Sequence, residues 1–559
     1  MDYKKLIAER IALENVAYED ILAQVTVSVD AANGDYCLPC FKFSKALRRS
    51  PMQLADEIKE FFLDVPWLSR VEAVAGYVNF WIDRKTFVEN ALAAAEKMGV
   101  DFESKKLNRK TVCIDYSSVN IAKPFHIGHL LTTAIGGSLY RIYRYLGYEV
   151  VGINHLGDWG TQFGKLISAY KRWGNKSDID ARGITALNEL YVKFHAEAET
   201  DKSLEDEGRF YFRRIEDGDA DAMTLFEWFK AVTMREVDKV YKRLGIAFDS
   251  YNGESFYNDK LDGVVELLKH KNLLTDSDGA KVVDLEAFGM PPCLILKSDG
   301  ASLYATRDLA AALYRKKEYD FSKNLYVVAY QQNLHFAQVF KVLELCGFPW
   351  ANDCVHVPFG MVSLEGVGAL STRKGNVVYL QDVLDTAVQK TKDIIAEKNS
   401  DLADKEKTAE AVGTGAVIFM ALSTGRIKDL VFSYDKALNF DGETGPYLQY
   451  THARCCSVLE KCAAQNVPRL AETDDLCDDE GFELVKLIAR YDQTVAAAAE
   501  KYEPSILARY LIDVAQSFNR YYIAHRIIGD AARERLTELT RNVLRNGLSL
   551  LVISAPEKM

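Results

Sequence analysis

A strand, a tight turn and a helix follow one another around a pair of histidines, and no other stretch constrains the fold as much. Val112, Ile114 and Tyr116 alternate with their neighbours at the period of a strand. The run Asp115-Tyr116-Ser117-Ser118-Val119-Asn120-Ile121-Ala122-Lys123-Pro124-Phe125-His126-Ile127-Gly128-His129 then leads into 130–146, apolar at helical spacing and closed by the natural C-terminal cap Gly147. At such a junction the turn's N–H groups and the positive end of the helix dipole face an anion. His126 and His129 add donors that are cationic or neutral near pH 7. Gly128 between them leaves room for a base or ribose against the backbone.

Further strand candidates at 149–156, 325–330 and 355–362 alternate with helical patterns over residues 110 to 385, as in a doubly wound α/β domain. A charged, helix-rich stretch over 168–243 reads as an excursion from the sheet. Before this region, residues 1–105 read as a small α/β module with a helix over 6–22 and a strand at Gly76-Tyr77-Val78-Asn79-Phe80-Trp81, joined through the charged stretch 103–110. From 412 onward the pattern is helical throughout. At 559 residues the chain divides into about three or four domains.

Composition excludes several classes. The chain is 48% hydrophobic and 27% charged, has no apolar run long enough to span a bilayer, and opens on Met1-Asp2-Tyr3-Lys4-Lys5 without a secretory core, so a cytoplasmic protein is expected. The ten cysteines include Cys37-x-x-Cys40, which has no partner pair at zinc spacing, and the adjacent Cys455-Cys456; they read as reduced thiols with no structural metal. Net charge is −11, which is only a weak veto on a nucleic-acid partner, because phosphate binding needs a local basic face. Neither a Walker A loop nor Gly-x-Gly-x-x-Gly is present, so any ATP site rests on the His-Gly-His turn and a clamp from the other side. Ser371-Thr372-Arg373-Lys374-Gly375-Asn376 offers that clamp, two adjacent cations in a glycine-containing loop suited to a leaving pyrophosphate.

The histidine block resembles the HIGH element of class I aminoacyl-tRNA synthetases, and its frame Ser-Ser-x-Asn-x-x-Lys-Pro-x-His-x-Gly-His-Leu is similar to that of the arginyl enzymes. Ser371 to Asn376 resembles that family's KMSKS loop. Val151 to Gly164, Tyr304-Ala305-Thr306-Arg307-Asp308 and Gln331-Gln332-Asn333-Leu334-His335-Phe336 resemble further family blocks. Gly442 to Arg454 and the helical remainder resemble its anticodon-binding bundle. Departures stand at Leu131, Gly137 and Leu370, where the family often carries Arg, an acid and Met.

The resemblance implies a Rossmann-type catalytic domain over 106–411, an all-α anticodon-binding domain over 412–559, and a D-loop-contacting module over 1–105. It implies an arginine–tRNA ligase that uses Mg-ATP, arginine and tRNA(Arg), monomeric and without a membrane partner. It assigns the phosphate chemistry to His126, His129, Lys123, Arg373 and Lys374, and ATP binding to Phe125, Gly128, His129, Met361, Val362, Ser371, Thr372 and Lys374. Arginine would be held by Asn120, Glu254, Tyr304, Asp308 and Gln332, the carboxylates answering the planar guanidinium. Tyr77, Asn79, Tyr450, Arg454, Tyr510, Asn519 and Tyr522 would meet tRNA, stacking on unpaired bases.

Other readings stay open on sequence. Arg307 and Asp308 could form a structural ion pair or cap, and Lys123 could be a solvated loop lysine. The whole chain could be a small-molecule nucleotidyltransferase or a non-catalytic RNA-binding paralogue. For an RNA-binding chain of net negative charge, affinity for tRNA should come from local Lys and Arg contacts. It should then fall by about tenfold or more between 50 and 200 mM salt in a filter-binding titration, as counterion release requires; a flat titration would exclude such contacts.

Overall fold

The computed structural model describes residues 3–28, 30–96, 108–123, 125–298, 303–367, 378–465 and 473–559. The chain divides into two compact units, Met1–Val100 with Cys455–Asp492 and Asp513–Val543, and Asp101–Arg454 with Gln493–Ile512 and Leu544–Met559.

The first unit holds an antiparallel sheet of β1 (Thr26–Val27), β2 (Tyr36–Pro39), β3 (Leu68–Val74) and β4 (Tyr77–Ile82) in the order β1-β2-β4-β3. Leu38, Val78 and Phe80 from the sheet close on Ile7, Leu54 and Ile58 from the helices, all fully buried. The helix expected over 6–22 is instead two, Tyr3–Arg10 and Tyr18–Gln24. Between them Asn15 takes a left-handed conformation at φ 61°, which asparagine tolerates and a helix does not. Helix Pro51–Glu60 starts on a capping box, Ser50 with Gln53, and Pro51 occupies the first turn, where its missing N–H costs nothing. Helices Arg84–Glu96 and Asp479–Ala489 meet through Phe87 and Phe482, ring centroids 5.4 Å apart.

The second unit is built on β5 (Thr111–Asp115), β6 (Glu149–Ile153), β10 (Lys323–Tyr326) and β11 (Cys354–His356), all parallel in the order β11-β10-β5-β6. Strand β5 has a later strand on each side, so the chain leaves its C-terminal end at the point where strand order reverses. In doubly wound sheets that is where ligands bind. The antiparallel β7 (Leu274–Ser277), β8 (Ala280–Val283) and β9 (Cys293–Leu296) intervene in sequence. That small sheet was not expected, although Asp278-Gly279, with φ 48° and 80°, carries the signature of a tight hairpin turn. Five helices from Thr161–Trp173 to Ala220–Leu244 fill the stretch expected to be helix-rich.

The strand expected over 355–362 breaks in two. Pro358 has no N–H to donate, so the ladder of β11 stops before it, and Val362–Leu364 (β12) pairs instead with β13 (Leu430–Phe432). Strand β13 also interrupts the region expected to be helical throughout.

Four helices position the site: α1 (Leu130–Tyr145), α2 (Ala220–Leu244), α3 (Tyr304–Tyr319) and α4 (Asn333–Leu345). Helix α1 is buried on nearly every face of its first three turns and ends where expected, with Gly147 at φ 87°. Gly136 lets it lie directly on β5, because a Cβ there would stand 2.2 Å from Cγ of Tyr116. Replacing Gly136 with Ala should force the helix off the strand and cost about 1–3 kcal/mol. A lowered urea midpoint at unchanged slope would register this; an unchanged midpoint would mean that the ring yields freely.

Candidate active site

From the end of β5 the chain passes through three non-glycine residues in left-handed conformations, Ser117 (φ 68°), Ser118 (φ 46°) and Ala122 (φ 60°), a concentration of strain that surrounding contacts must over-determine. The contacts are there. Ser117 N–H donates to Thr132 Oγ1 at 2.9 Å, and its hydroxyl meets those of Thr133 (2.9 Å) and Tyr241 (2.7 Å). Ser118 donates to Asp115 Oδ1 at 2.8 Å, and Ala122 N–H to Thr233 Oγ1 at 3.0 Å. Asn120 bridges to Gly157 in the loop after β6, where Ile121 N–H donates to Gly157 O and Gly157 N–H to Val119 O.

The chain then makes one 3₁₀ turn, Ile127–His129, capped from both sides by imidazoles. Nδ1 of His126 accepts from Gly128 N–H at 3.0 Å, and Nδ1 of His129 accepts from His126 N–H at 3.3 Å. With its Nδ1 accepting, the ring proton of a neutral His126 belongs on Nε2, whereas Nδ1 of His129 also lies 3.2 Å from His126 O, so its tautomer follows from which of the two contacts it makes. The rings lie 4.1 Å apart, and Phe125 packs 5.0 Å from His129. Burial, then the neighbouring charges of His126 and Lys123, push the His129 imidazole down to about 3; burial and Lys123 push His126 down as well. The turn therefore offers neutral N–H donors at pH 7, with no fixed charge. A side chain at Gly128 would strike the His126 ring at 2.7 Å, so the close approach is built into that glycine. Antiparallel to the turn, Tyr379 bridges to His126, with Ile127 N–H donating to Val378 O and Leu380 N–H to Phe125 O.

Across the switch point lies an acidic pocket. The Glu254 N–H donates to Leu156 O at 2.9 Å, which sets the residue beside the loop after β6. That loop is held by fully buried Asp158, which accepts from Lys230 Nζ (2.7 Å), Ser255 N–H (2.9 Å) and Ser255 Oγ (2.8 Å). Burial pushes the Glu254 carboxyl up to about 7; Arg307 and Lys123 pull against this, and Asp308 and Asp158 reinforce it. Asp308, one turn into α3, sits 2.5 Å from His335 Nε2 in α4. Burial alone would raise the Asp308 carboxyl, but the hydrogen bond and charge of His335, with His155 and Arg315, hold it below the ordinary range. Asp308 thus pairs with His335, while Arg307 turns to Asn258 Oδ1 at 3.3 Å.

The remaining site residues divide by exposure. Tyr304 (69% exposed), Asn120 and Gln332 present open side chains at the rim. Met361 is half open, its N–H on Asp429 Oδ1 and its sulfur 2.8 Å from Gln331 Nε2, whereas Val362 is buried. Ser371, Thr372, Arg373 and Lys374 lie outside the described residues. Among the residues expected to meet RNA, Tyr77, Tyr450 and Tyr522 are exposed, and Arg454 lies 4.9 Å over the Tyr450 ring; Asn519 is half-buried. Asn79 and Tyr510 are each only 6% exposed, so little of either side chain is open to a base. Asn79 pairs with Cys37 and Glu72 in the interior of the sheet, and Tyr510 lies in helix Ser505–Ala524 among the buried Leu507, Leu511 and Ile512.

Four residues here were not singled out from sequence: His155, Asp158, Arg315 and His335. Three stand inside motifs already noted: His155 and Asp158 in the glycine-rich block 151–164, and His335 in the amide-rich block 331–336.

Three family models match successive stretches: Arginyl tRNA synthetase N terminal domain over residues 1–82, tRNA synthetases class I (R), catalytic domain over 88–434, and DALR anticodon binding domain over 448–559. The arginine–tRNA ligase of Clostridium botulinum (strain Alaska E43 / Type E3) is 49% identical over 100% of both chains, and that of Clostridium perfringens (strain 13 / Type A) 48%, again over 100% of both. Among solved structures, Thermus thermophilus arginyl-tRNA synthetase matches with a TM-score of 0.79 at 25% identity over 96% of each chain. The Plasmodium falciparum arginyl-tRNA synthetase shares the fold, with a TM-score of 0.79 over 96% of this chain and 94% of its own.

The pocket's titration has a definite sign. A guanidinium held there would favour ionised Glu254, which is protonated below about 7, so on that assignment affinity for arginine should fall as pH drops. Between pH 7.5 and pH 6 the Kd of arginine, followed by calorimetry, should weaken about five- to tenfold. Glu254→Gln should flatten that dependence; an equally steep profile in the variant would assign the proton elsewhere.

Proposed function

The chain belongs to the arginyl-tRNA synthetase family, and on that premise we propose how its residues share the work of an ATP-dependent arginine–tRNA ligase. The reaction has two steps. The arginine carboxylate attacks the α-phosphate of Mg-ATP, giving arginyl-adenylate and pyrophosphate; a terminal adenosine hydroxyl of tRNA(Arg), the 2′-OH in class I enzymes, then attacks the activated carbonyl. No side chain serves as a covalent nucleophile, so catalysis is positioning and charge stabilisation. His126 and His129 donate ring N–H groups to phosphate oxygens, with Phe125, Gly128, Met361 and Val362 along the nucleotide. Arg373 and Lys374 take the leaving pyrophosphate, with Ser371 and Thr372 beside them. Glu254 and Asp308 hold the guanidinium, and Asn120, Tyr304 and Gln332 orient the remaining polar groups.

What supports this reading is one juxtaposition: neutral imidazole donors and an acidic pocket at the end of β5, with the Lys123 charge felt by both. Phosphate oxygens need donors, and a guanidinium needs carboxylates. For RNA, we assign residues 1–105 to the D-loop through Tyr77, residues 106–411 to catalysis, and residues 412–559 to the anticodon through Tyr450, Arg454, Asn519 and Tyr522. No helix among the described residues is long and apolar enough to cross a membrane, and a cytoplasmic monomer is the simplest form. The nucleotidyltransferase and non-catalytic readings lose ground to full-length ligase relatives at 48–49% identity.

Labelled arginine, total tRNA and Mg-ATP should together give RNA-bound label, and omitting ATP should abolish it; no label with all three present would overturn the reading. Lys123 is assigned to the α-phosphate, so Lys123→Ala should keep its fold and arginine affinity. It should lose about 2–4 kcal/mol of transition-state stabilisation, seen mainly in turnover. A folded Lys123→Ala enzyme with wild-type turnover would leave the histidines and Lys374 to do this work.

A further inference from the structure

Helices α3 and α4 each bring their first turn to the acidic pocket, and one hydrogen bond joins those turns. Nε2 of His335 stands 2.5 Å from Oδ2 of Asp308, and both side chains are 22% exposed. Tyr304 lies four residues before Asp308 on the same helical face, and Gln332 is the N-cap residue of α4, three before His335. The bond therefore spans the two helix starts that carry Tyr304, Asp308 and Gln332. It engages one carboxylate oxygen; a carboxylate has about four acceptor directions, so Oδ1 remains for a second donor.

The surroundings give Asp308 a reason to need holding. Arg315 and His155 both act electrostatically on its carboxylate, and Arg315 already bonds Asp115 at 2.7 Å. A carboxylate untethered beside that buried guanidinium is drawn toward it and away from the crevice. Around His335 itself stand Asp308 from α3, the neighbouring Phe336 ring at 5.2 Å, and His356 from β11, whose imidazole His335 and Arg426 help push down after burial.

We propose that His335 is a positioning residue for arginine recognition: it fixes the Asp308 rotamer and the spacing of the two helix starts without touching arginine. The proposal rests on the reading that Asp308 holds the guanidinium. A planar fork is sensitive to carboxylate orientation in a way that a lysine ammonium is not, so losing the tether should act on arginine affinity and leave the chemistry largely alone.

The test compares His335→Phe, which keeps a ring and removes the donor, with His335→Gln, whose amide can still donate to Asp308. In steady-state charging assays His335→Phe should raise the arginine KM about tenfold, with kcat and the ATP KM within about twofold. His335→Gln should recover to within about threefold of wild type, as a donor replacement allows. In an Asp308→Asn background, His335→Phe should add nothing further. If His335→Phe does not fold, His335→Ala takes its place in the same comparison. Equal impairment of the Gln and Phe variants, an unchanged arginine KM in His335→Phe, or a full effect of His335→Phe on top of Asp308→Asn would each overturn the proposal. An unchanged arginine KM in Asp308→Asn alone would instead remove the pocket reading beneath it.

Discussion

Beneath the active site a guanidinium is buried in the protein interior. Arg315 is 1% exposed, in the fourth turn of α3, and Asp115 ends β5 at 5% exposure; Nη2 and Oδ2 are 2.7 Å apart. The Tyr326 ring lies 5.3 Å from the guanidinium carbon. Leaving either charge without the other costs about 3–5 kcal/mol, so the pair is a strong constraint on how α3 seats against the sheet. Its reach extends further. The second oxygen of Asp115 accepts from Ser118, in the strained loop that carries the chain to the histidine turn. One carboxylate thus ties the phosphate side of the site to the helix that bears Tyr304 and Asp308.

Charge is apportioned across the crevice accordingly. On one side, burial keeps the imidazoles neutral, so they present hydrogen-bond donors without repelling a cationic substrate. On the other, Asp308 stays ionised under the influence of His335, His155 and Arg315, while Glu254 sits near its midpoint at neutral pH. Burial is the main reason that Glu254 resists ionising, and the charge of Asp308 adds to it.

How much of this could be read in advance depended on the kind of information each feature carries. The turn and helix around His126 were legible because apolar periodicity and Gly147 are local signals, and α1 ends where they say. The break at Pro358 and the hairpin at Asp278-Gly279 rest on equally local signals, a missing N–H and a positive-φ pair. The break between Arg10 and Tyr18, with left-handed Asn15 inside it, falls by contrast where the apolar pattern runs on. Buried charge was the hardest to see. Arg315 stands beside Lys316 and Lys317 like part of a solvated run, and its partner is 200 residues away; nothing local distinguishes it. Tyr77 and Asn79 share a strand face, yet only Tyr77, the first residue of β4, is open; alternation marks the face and not the depth along the strand.

The position of β5 also matters to the protein as it is made. Its partner β10, paired from Lys323↔Val112 to Tyr326↔Asp115, is encoded some two hundred residues later. At ribosomal rates of about 5–20 residues per second, one edge of β5 waits roughly 10–40 s for its neighbour to emerge. During that interval Val112 and Ile114, fully buried in the finished fold, lie along an unpaired edge that other nascent chains could join. Only β6, which follows within forty residues, and the apolar helix α1 can shield the strand early. The order of synthesis therefore leaves this edge of β5 open longer than any other pairing in the parallel sheet.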